Sequence, residues 1–351
     1  MSLLTVDNLQ VTYATRRGVV RAVDGVSFAV ESGTIMGLIG ESGCGKTTTG
    51  QALMRVMPKN ARIVGGRVIL QTNGAARDLL SLGESEMRQV RWRQLAMIPQ
   101  ASMHALDPVY KVGDQLIELL RERGGYKHED ARARARELFK LVGLDDNRLN
   151  YYPHEFSGGM RQRAVIAMAL ALNPPLVIAD EPVTALDVIV QHQVLETLKE
   201  LQQRLGLSVL LITHDMAVIA QVCDAVAVMY AGKIVERGSV AQIFHSPFHP
   251  YTLGLENCFP DVDAPRKTLV SIEGYPPELV APPAGCRFAS RCPFAIERCR
   301  AEAPVLQAVE EGHTVACHRA DEVEMLRVRA KDEQTWQMVG SYDDLTSHVG
   351  T

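Results

Sequence analysis

From Leu4 to Tyr13, "LTVDNLQVTY", apolar and polar residues alternate at a period of about two, and "VSFAV" repeats the pattern at 26–30. Both predict strands with one face buried. "TIMGLIG" at 34–40 is a short apolar run ending in glycine, a strand buried on both faces, and a helix is expected from Gly45 to Met57. Later strand-like runs are "GGRVIL", "LAMIP", "PLVIAD", "SVLLIT", "AVAVMY" and "GKIVERG", with helical spacing between the last few, notably over 188–204. Residues 113–145 carry helical periodicity with no strand between, which reads as a helical insertion. The pattern predicts an α/β domain around a buried, largely parallel sheet.

The texture changes near residue 247, where prolines crowd the chain and lead into a cysteine-rich stretch. A boundary is expected near 250, giving a first domain over 1–250 with its helical part at about 101–160. A small loop-rich domain over 251–320 and a charged tail over 321–351 follow. No internal repeat is visible.

Composition changes the picture little. The 351 residues are 46% hydrophobic and 22% charged, as expected of a globular chain with a substantial core. The net charge of -4 gives no reason to expect a nucleic-acid partner. The N-terminal "MSLLTVDNLQVTY" lacks a signal peptide's basic and apolar regions, and no run reaches the roughly 18–20 apolar residues of a membrane span. A cytoplasmic chain without disulfides is expected.

The chemistry begins at "GLIGESGCGKTTTG". Gly40, Glu41, Ser42, Gly43, Cys44, Gly45, Lys46 and Thr47 match G-x-x-x-x-G-K-[ST] in full, and Thr48 follows. A strand before and a helix after supply the right context. Glycines let backbone N–H groups turn toward phosphate oxygens, and the helix N-terminus adds partial positive charge. Lys46 is expected on the β and γ phosphates and the Thr47 hydroxyl on Mg²⁺. Lys46 and the helix N-terminus are also expected to lower the Cys44 thiol pKa.

"PLVIADEP" ends an apolar strand in Asp180-Glu181. Asp180 is expected to hold Mg²⁺ and Glu181 to polarise an attacking water. An Asp-Glu pair alone is usually a solvated strand end; beside a phosphate loop the functional reading gains. In "FSGGMRQRAVIAMAL", Ser157 precedes Gly158, Gly159 and a helical run, so it is expected to cap a helix and open a second anion site. One phosphate loop plus one such site suggests two chains sharing each nucleotide. His214, after "SVLLIT", is placed to hydrogen-bond a γ phosphate, although a lone histidine is more often structural.

In order and spacing, Gly40–Thr47, Gln100, Ser157–Gln162, Asp180–Glu181, "TALD" at 184–187 and "THD" at 213–215 resemble the ATPase subunits of ABC transporters. The resemblance spans about residues 1–250 and implies a P-loop NTPase core with an antiparallel β subdomain. It implies that Tyr13 stacks on adenine, that Gln100 contacts Mg²⁺ and water, and that His214 is the switch histidine. Ser157, Gly158 and Gly159 would touch ATP held by the opposite subunit, with Asp187 in the connecting loop. A narrower resemblance, to the ATPase subunits of oligopeptide and dipeptide importers, rests on "HSPFHPYTLGL" and "PPAGCRFASRCPFAIERC…ACH" and extends to about residue 320. The chain departs from that pattern at Ala101, Asp107-Pro108 and Val183. The resemblance implies a second, related ATPase subunit, two transmembrane permease subunits and an extracytoplasmic solute-binding protein. It places the chain on the cytoplasmic face of the inner membrane as a peripheral protein. Peptides, nickel, opines and oligosaccharides remain possible solutes. The competing reading is a non-transport ABC ATPase of DNA repair or translation.

Four of the seven cysteines, Cys286, Cys292, Cys299 and Cys317, fall near the C-terminus. Disulfides are disfavoured in a cytoplasmic chain, so a shared metal centre is expected. No C-x₂₋₄-C pair of the usual zinc type occurs, and the spacing leaves zinc and an iron–sulfur cluster both open. The importer resemblance favours a [4Fe–4S] cluster. Arg287, Arg291, Arg298 and Arg300 lie between or beside these cysteines, where they would offset a cluster's negative charge. His313 and His318 are possible substitutes for one cysteine, although lone histidines in such a stretch are more often ordinary surface residues.

Overall fold

A computed structural model describes residues 1–72, 74–100, 105–257 and 272–337. The chain opens with β1 (Ser2–Thr15) and β2 (Gly18–Glu31), followed by β3 (Ile35–Ile39), α1 (Lys46–Met54), β4 (Ala61–Thr72) and β5 (Ala75–Asp78). Next come α2 (Glu84–Val90), β6 (Leu95–Ile98), α3 (Val112–Gly124), α4 (His128–Leu141), α5 (Gly158–Ala169) and β7 (Leu176–Asp180). The sheet continues through α6 (Val188–Leu205), β8 (Ser208–Thr213), α7 (Met216–Val222), β9 (Ala225–Tyr230) and β10 (Lys233–Ser239). The C-terminal part holds α8 (Val240–His245), α9 (Pro250–Asn257), α10 (Glu297–Ala301), β11 (Gln307–Glu310), β12 (His313–Val315), α11 (Val323–Ala330) and α12 (Glu333–Gln337).

Among the described residues the strands form two sheets. The smaller is antiparallel, in the order β2-β1-β4-β5; the larger runs β11-β12-β10-β9-β3-β8-β7-β6. Within the larger sheet β9, β3, β8, β7 and β6 are parallel, as their near-continuous apolar sequences predict. Every residue of β3, β7 and β8 is buried. Removing a side chain such as Leu38 or Ile178 from water contributes about 1.5–3 kcal/mol. One core lies between the two sheets around Phe28, Leu38, Leu53 and Ile212. A second joins the sheet to the helical insertion through Leu116, Leu138, Phe139 and Leu198. The insertion packs as sequence periodicity predicts, while Ala101 lies outside the described residues.

The C-terminal region does more than follow the sheet. β12 pairs antiparallel with β10, Glu236 opposite Val315, and β11 closes the edge against β12. Neither strand was visible as apolar alternation, because both are short and β11 is largely exposed. The tail is structured up to Gln337: Trp336 is buried beside Leu326 and Tyr251; residues 338–351 lie outside the described residues. His313 is not a surface residue. It is fully buried, and its Nε2 stands 2.8 Å from Glu236 Oε1. Glu236 also accepts the backbone N–H groups of Phe248 and His249, so a buried carboxylate ties the chain entering α9 to β10.

Candidate active site: a phosphate loop with paired carboxylates

The loop from Gly40 to Gly45 leaves β3 and enters α1, whose N-cap is Gly45 at φ 106°. Gly45 has the left-handed conformation that favours glycine, and a Cβ there would stand 2.3 Å from the Ala22 carbonyl oxygen. At Gly40 a Cβ would stand 2.0 Å from the Met229 carbonyl oxygen, so the loop presses against β2 and the end of β9. Ser42 and Gly43 are exposed, while Lys46 is buried and donates from Nζ to the carbonyls of Gly40 (2.6 Å) and Glu41 (3.0 Å). Tyr13, at the end of β1, meets Thr48 through hydroxyl groups 3.1 Å apart.

Thr47 and Asp180 meet as the sequence predicts: the Thr47 hydroxyl donates to Asp180 Oδ1 at 3.1 Å. Asp180 is fully buried at the end of β7, and its Oδ2 has no hydrogen-bond partner. Burial is the main reason its pKa rises from 3.8 to about 6, against the lowering effect of Thr47. A desolvated, half-unpaired carboxylate beside a hydroxyl is a fitting pair of oxygen ligands for Mg²⁺.

Glu181 is the hub of the second half. Its Oε2 accepts from Gln100 Nε2 at 3.1 Å and from the Thr184 hydroxyl at 3.0 Å. Its Oε1 stands 3.1 Å from His214 Nδ1. Its backbone has φ 48°, a conformation costing a non-glycine residue on the order of 1–3 kcal/mol. The Glu181 N–H bond to the Ile212 carbonyl, 2.8 Å, helps hold it there. Thr184 was not singled out from sequence, although it stands in the quoted "TALD" turn three residues after the glutamate.

Ser157 caps α5 as expected, accepting from Met160 N at 3.3 Å, and Asp187 caps α6 through Val190 N at 2.9 Å. Both are exposed. The two helix starts meet each other: a Cβ on Gly159 would stand 2.4 Å from Val190 Cγ1. Beside Asp187, Val188 and Ile189 are exposed at 82% and 73%, an apolar step next to a capping carboxylate.

Two sequence expectations fail here. Cys44 is almost fully buried, and burial raises its thiol pKa despite Lys46 3.8 Å away. Desolvation outweighs the nearby cation, so Cys44 is a packed thiol rather than a thiolate. Three of the four arginines also differ from expectation: Arg287 pairs with Asp24, Arg291 with Glu41 and Arg298 with Glu302, so these charges answer carboxylates rather than the C-terminal thiols.

Those thiols do converge: Cys286, Cys292, Cys299 and Cys317 line one cavity together with Phe288 and His318. Burial raises the thiol pKa of Cys286, Cys292 and Cys317, the last to about 12. Among the described residues no group of three His, Cys, Asp or Glu side chains is set as it would be around a metal ion.

Residues 23–184 match the ABC transporter family, and residues 235–299 match the C-terminal region of oligopeptide/dipeptide transporters. A probable peptide ABC transporter ATP-binding protein of Sinorhizobium fredii is 48% identical over 325 residues, 92% of this chain and 96% of that one. The chain belongs to this family of ABC ATP-binding subunits. A dipeptide transport ATP-binding protein of Bacillus subtilis is 46% identical, covering 91% of this chain and 95% of that one. An oligopeptide transport ATP-binding protein of Escherichia coli is 42% identical over 91% of this chain and 93% of its own. A dimeric post-hydrolysis cassette bound to ADP and Pi superposes with TM-score 0.59 at 26% identity, covering 68% of this chain and 98% of that one. As a member of this family the protein is an ABC ATPase with the P-loop fold. The matched relatives are transport subunits, which favours the transport reading over repair or translation.

Proposed function

We propose that this ABC ATPase powers uptake of peptides or a related solute, working in a membrane complex with a second ATPase subunit, two permease subunits and a solute-binding protein. Among the described residues no helix is long and apolar enough to cross a membrane; in this reading the translocation path is assigned to the permease partners. The chain itself is placed on the cytoplasmic face as a peripheral subunit. The observation that carries the reading is Glu181, held at the mouth of a phosphate loop between Gln100, Thr184 and His214.

Mg²⁺, when bound, would supply positive charge to offset that developing on the phosphates. Thr47, Asp180 and Gln100 are assigned to hold it. Lys46 releases the Gly40 and Glu41 carbonyls to neutralise phosphate, and N–H groups of the loop turn toward the same oxygens. Tyr13 is assigned to the adenine face. Glu181 orients an attacking water and accepts its proton, while His214 and Gln100 hold the carboxylate and sense the γ position. Ser157, Gly158 and Gly159 are assigned to the nucleotide of a facing subunit; of the three only Ser157 is exposed, Gly159 being buried against Val190, and the exposed step at Asp187–Ile189 lies beside them. When the subunits are reconstituted together in vesicles, peptide uptake is expected to require ATP and this chain. ATP-driven uptake unchanged by its omission would remove the reading.

The four C-terminal cysteines are assigned to a [4Fe–4S] cluster. Supporting this are the cavity they share and a donor set of four sulfurs; zinc is the alternative with the same donors. Because burial raises the thiol pKa of Cys286, Cys292 and Cys317, loading a metal there must expel protons. Anaerobically purified protein is expected to be brown, with about four irons and four sulfides per chain. Cys292→Ser is expected to bleach it while ATP binding persists. One zinc per chain without acid-labile sulfide would reassign the site.

A further inference from the structure

The second residue of the phosphate loop is held from three directions. The Glu41 carbonyl accepts from Lys46 Nζ, as above. Its N–H donates to the phenol oxygen of Tyr251 at 2.9 Å. Its carboxylate accepts from Arg291 Nη1 through both oxygens, at 3.0 and 2.8 Å. Tyr251 and Arg291 both come from the C-terminal part of the chain, beyond the phosphate-binding domain.

Arg291 is built into place. It is 6% exposed, and its other bonds run from Nε to the Glu273 carbonyl (2.9 Å) and from Nη2 to the Ile272 carbonyl (3.0 Å). Tyr230 Oη lies 3.2 Å from Nη1. Tyr230, Tyr251 and Phe288 form an aromatic cluster with centroids 4.7–5.4 Å apart, which fixes both side chains that grip Glu41. A guanidinium with all its nitrogens engaged is a rigid strut. It also immediately precedes Cys292, one of the four thiols lining the shared cavity.

We infer that Arg291 is a positioning residue for ATP, by which the C-terminal cysteine segment neutralises Glu41 and holds the phosphate loop open to polyphosphate. The inference rests on the ATP-site reading above. Without Arg291 the Glu41 carboxylate stands unpaired beside the loop that receives phosphate, and like charges oppose each other there. Binding is linked both ways: nucleotide in the loop must also steady the segment that carries Arg291.

The test uses the full-length chain, Mg²⁺ and a non-hydrolysable ATP analogue, with thermal melting as a check of folding. Arg291→Ala is expected to weaken binding by about tenfold, the scale of a lost charge-assisted contact. Adding Glu41→Gln to it removes the stranded carboxylate and is expected to recover most of the loss. Arg298→Ala, which breaks only an exposed pair with Glu302, is expected to bind as the wild type does. In the unmutated protein, hydrogen exchange in peptides spanning 286–293 is expected to slow when the analogue binds, a readout that needs no variant to fold. The inference is overturned if folded Arg291→Ala keeps wild-type affinity or if the double variant binds more weakly than the single. Exchange at 286–293 indifferent to nucleotide, or an equal loss in Arg298→Ala, overturns it as well. Wild-type protein that fails to bind the analogue would remove the ATP reading itself, a different result.

Discussion

Glu181→Gln is expected to leave ATP binding in place while turnover in the assembled complex falls by roughly 10²–10³-fold, the scale of a general-base contribution. Glutamine keeps the size of the side chain and one oxygen, so contacts to Gln100, Thr184 and His214 are largely retained. The amide has no basic oxygen for the proton of the attacking water. An ATP-bound closed dimer should therefore accumulate, visible by size exclusion in the presence of Mg²⁺-ATP. The measurement needs the facing ATPase subunit defined, because two unlike subunits can share the nucleotides unequally. Near-normal hydrolysis would move the proton acceptor to another group.

Asp180→Asn is expected to separate activity from stability. In the metal-free protein this carboxylate is buried, half unpaired, and raised from 3.8 to about 6. A carboxyl with a raised pKa binds its proton more tightly when folded than when unfolded. Its contribution to stability is thus present below pH 3.8 and is lost as pH rises through about 6. At pH 7 the ionised group costs on the order of 3 kcal/mol, the two-unit shift converted at 1.36 kcal/mol per unit. Asparagine cannot ionise, so the variant should melt above the wild type at pH 7 without Mg²⁺, and the gap should close toward pH 4. The same variant should lose Mg²⁺-dependent hydrolysis by about 10²-fold or more, since a charged ligand to the cation is gone. Equal melting temperatures at pH 7 would show that the carboxylate is not strained by burial. Retained hydrolysis would show that the cation is held elsewhere.

Much of the site could be read from the chain because its parts are local in sequence. The phosphate loop needs an apolar strand, glycines and a helix within a few residues, and all three appear there in the fold. Asp180-Glu181 and the Ser157 cap are equally local: a strand end and a helix start. Contacts between distant residues left no such trace. Glu41 and Arg291 stand 250 positions apart, and neither residue type names its partner. Cys44 shows a second kind of limit, since neighbouring charge was visible and depth was not. A thiol beside a lysine reads as a thiolate until burial is known. His313 misled in the same way: a lone histidine in a polar stretch gave no sign of the buried Glu236 across the sheet. Periodicity also missed β11 and β12, because a strand of three or four residues is too short to alternate convincingly.

The pairing of β12 with β10 has a consequence for how the protein is made. During synthesis β10 leaves the ribosome well before its neighbour, and until Val315 emerges its outer edge offers unpaired N–H and C=O groups. Such an edge is a template for pairing with another chain. The large sheet therefore cannot be completed before Val315 has been translated, and a chain stopped near residue 250 would leave the outer edge of β10 open.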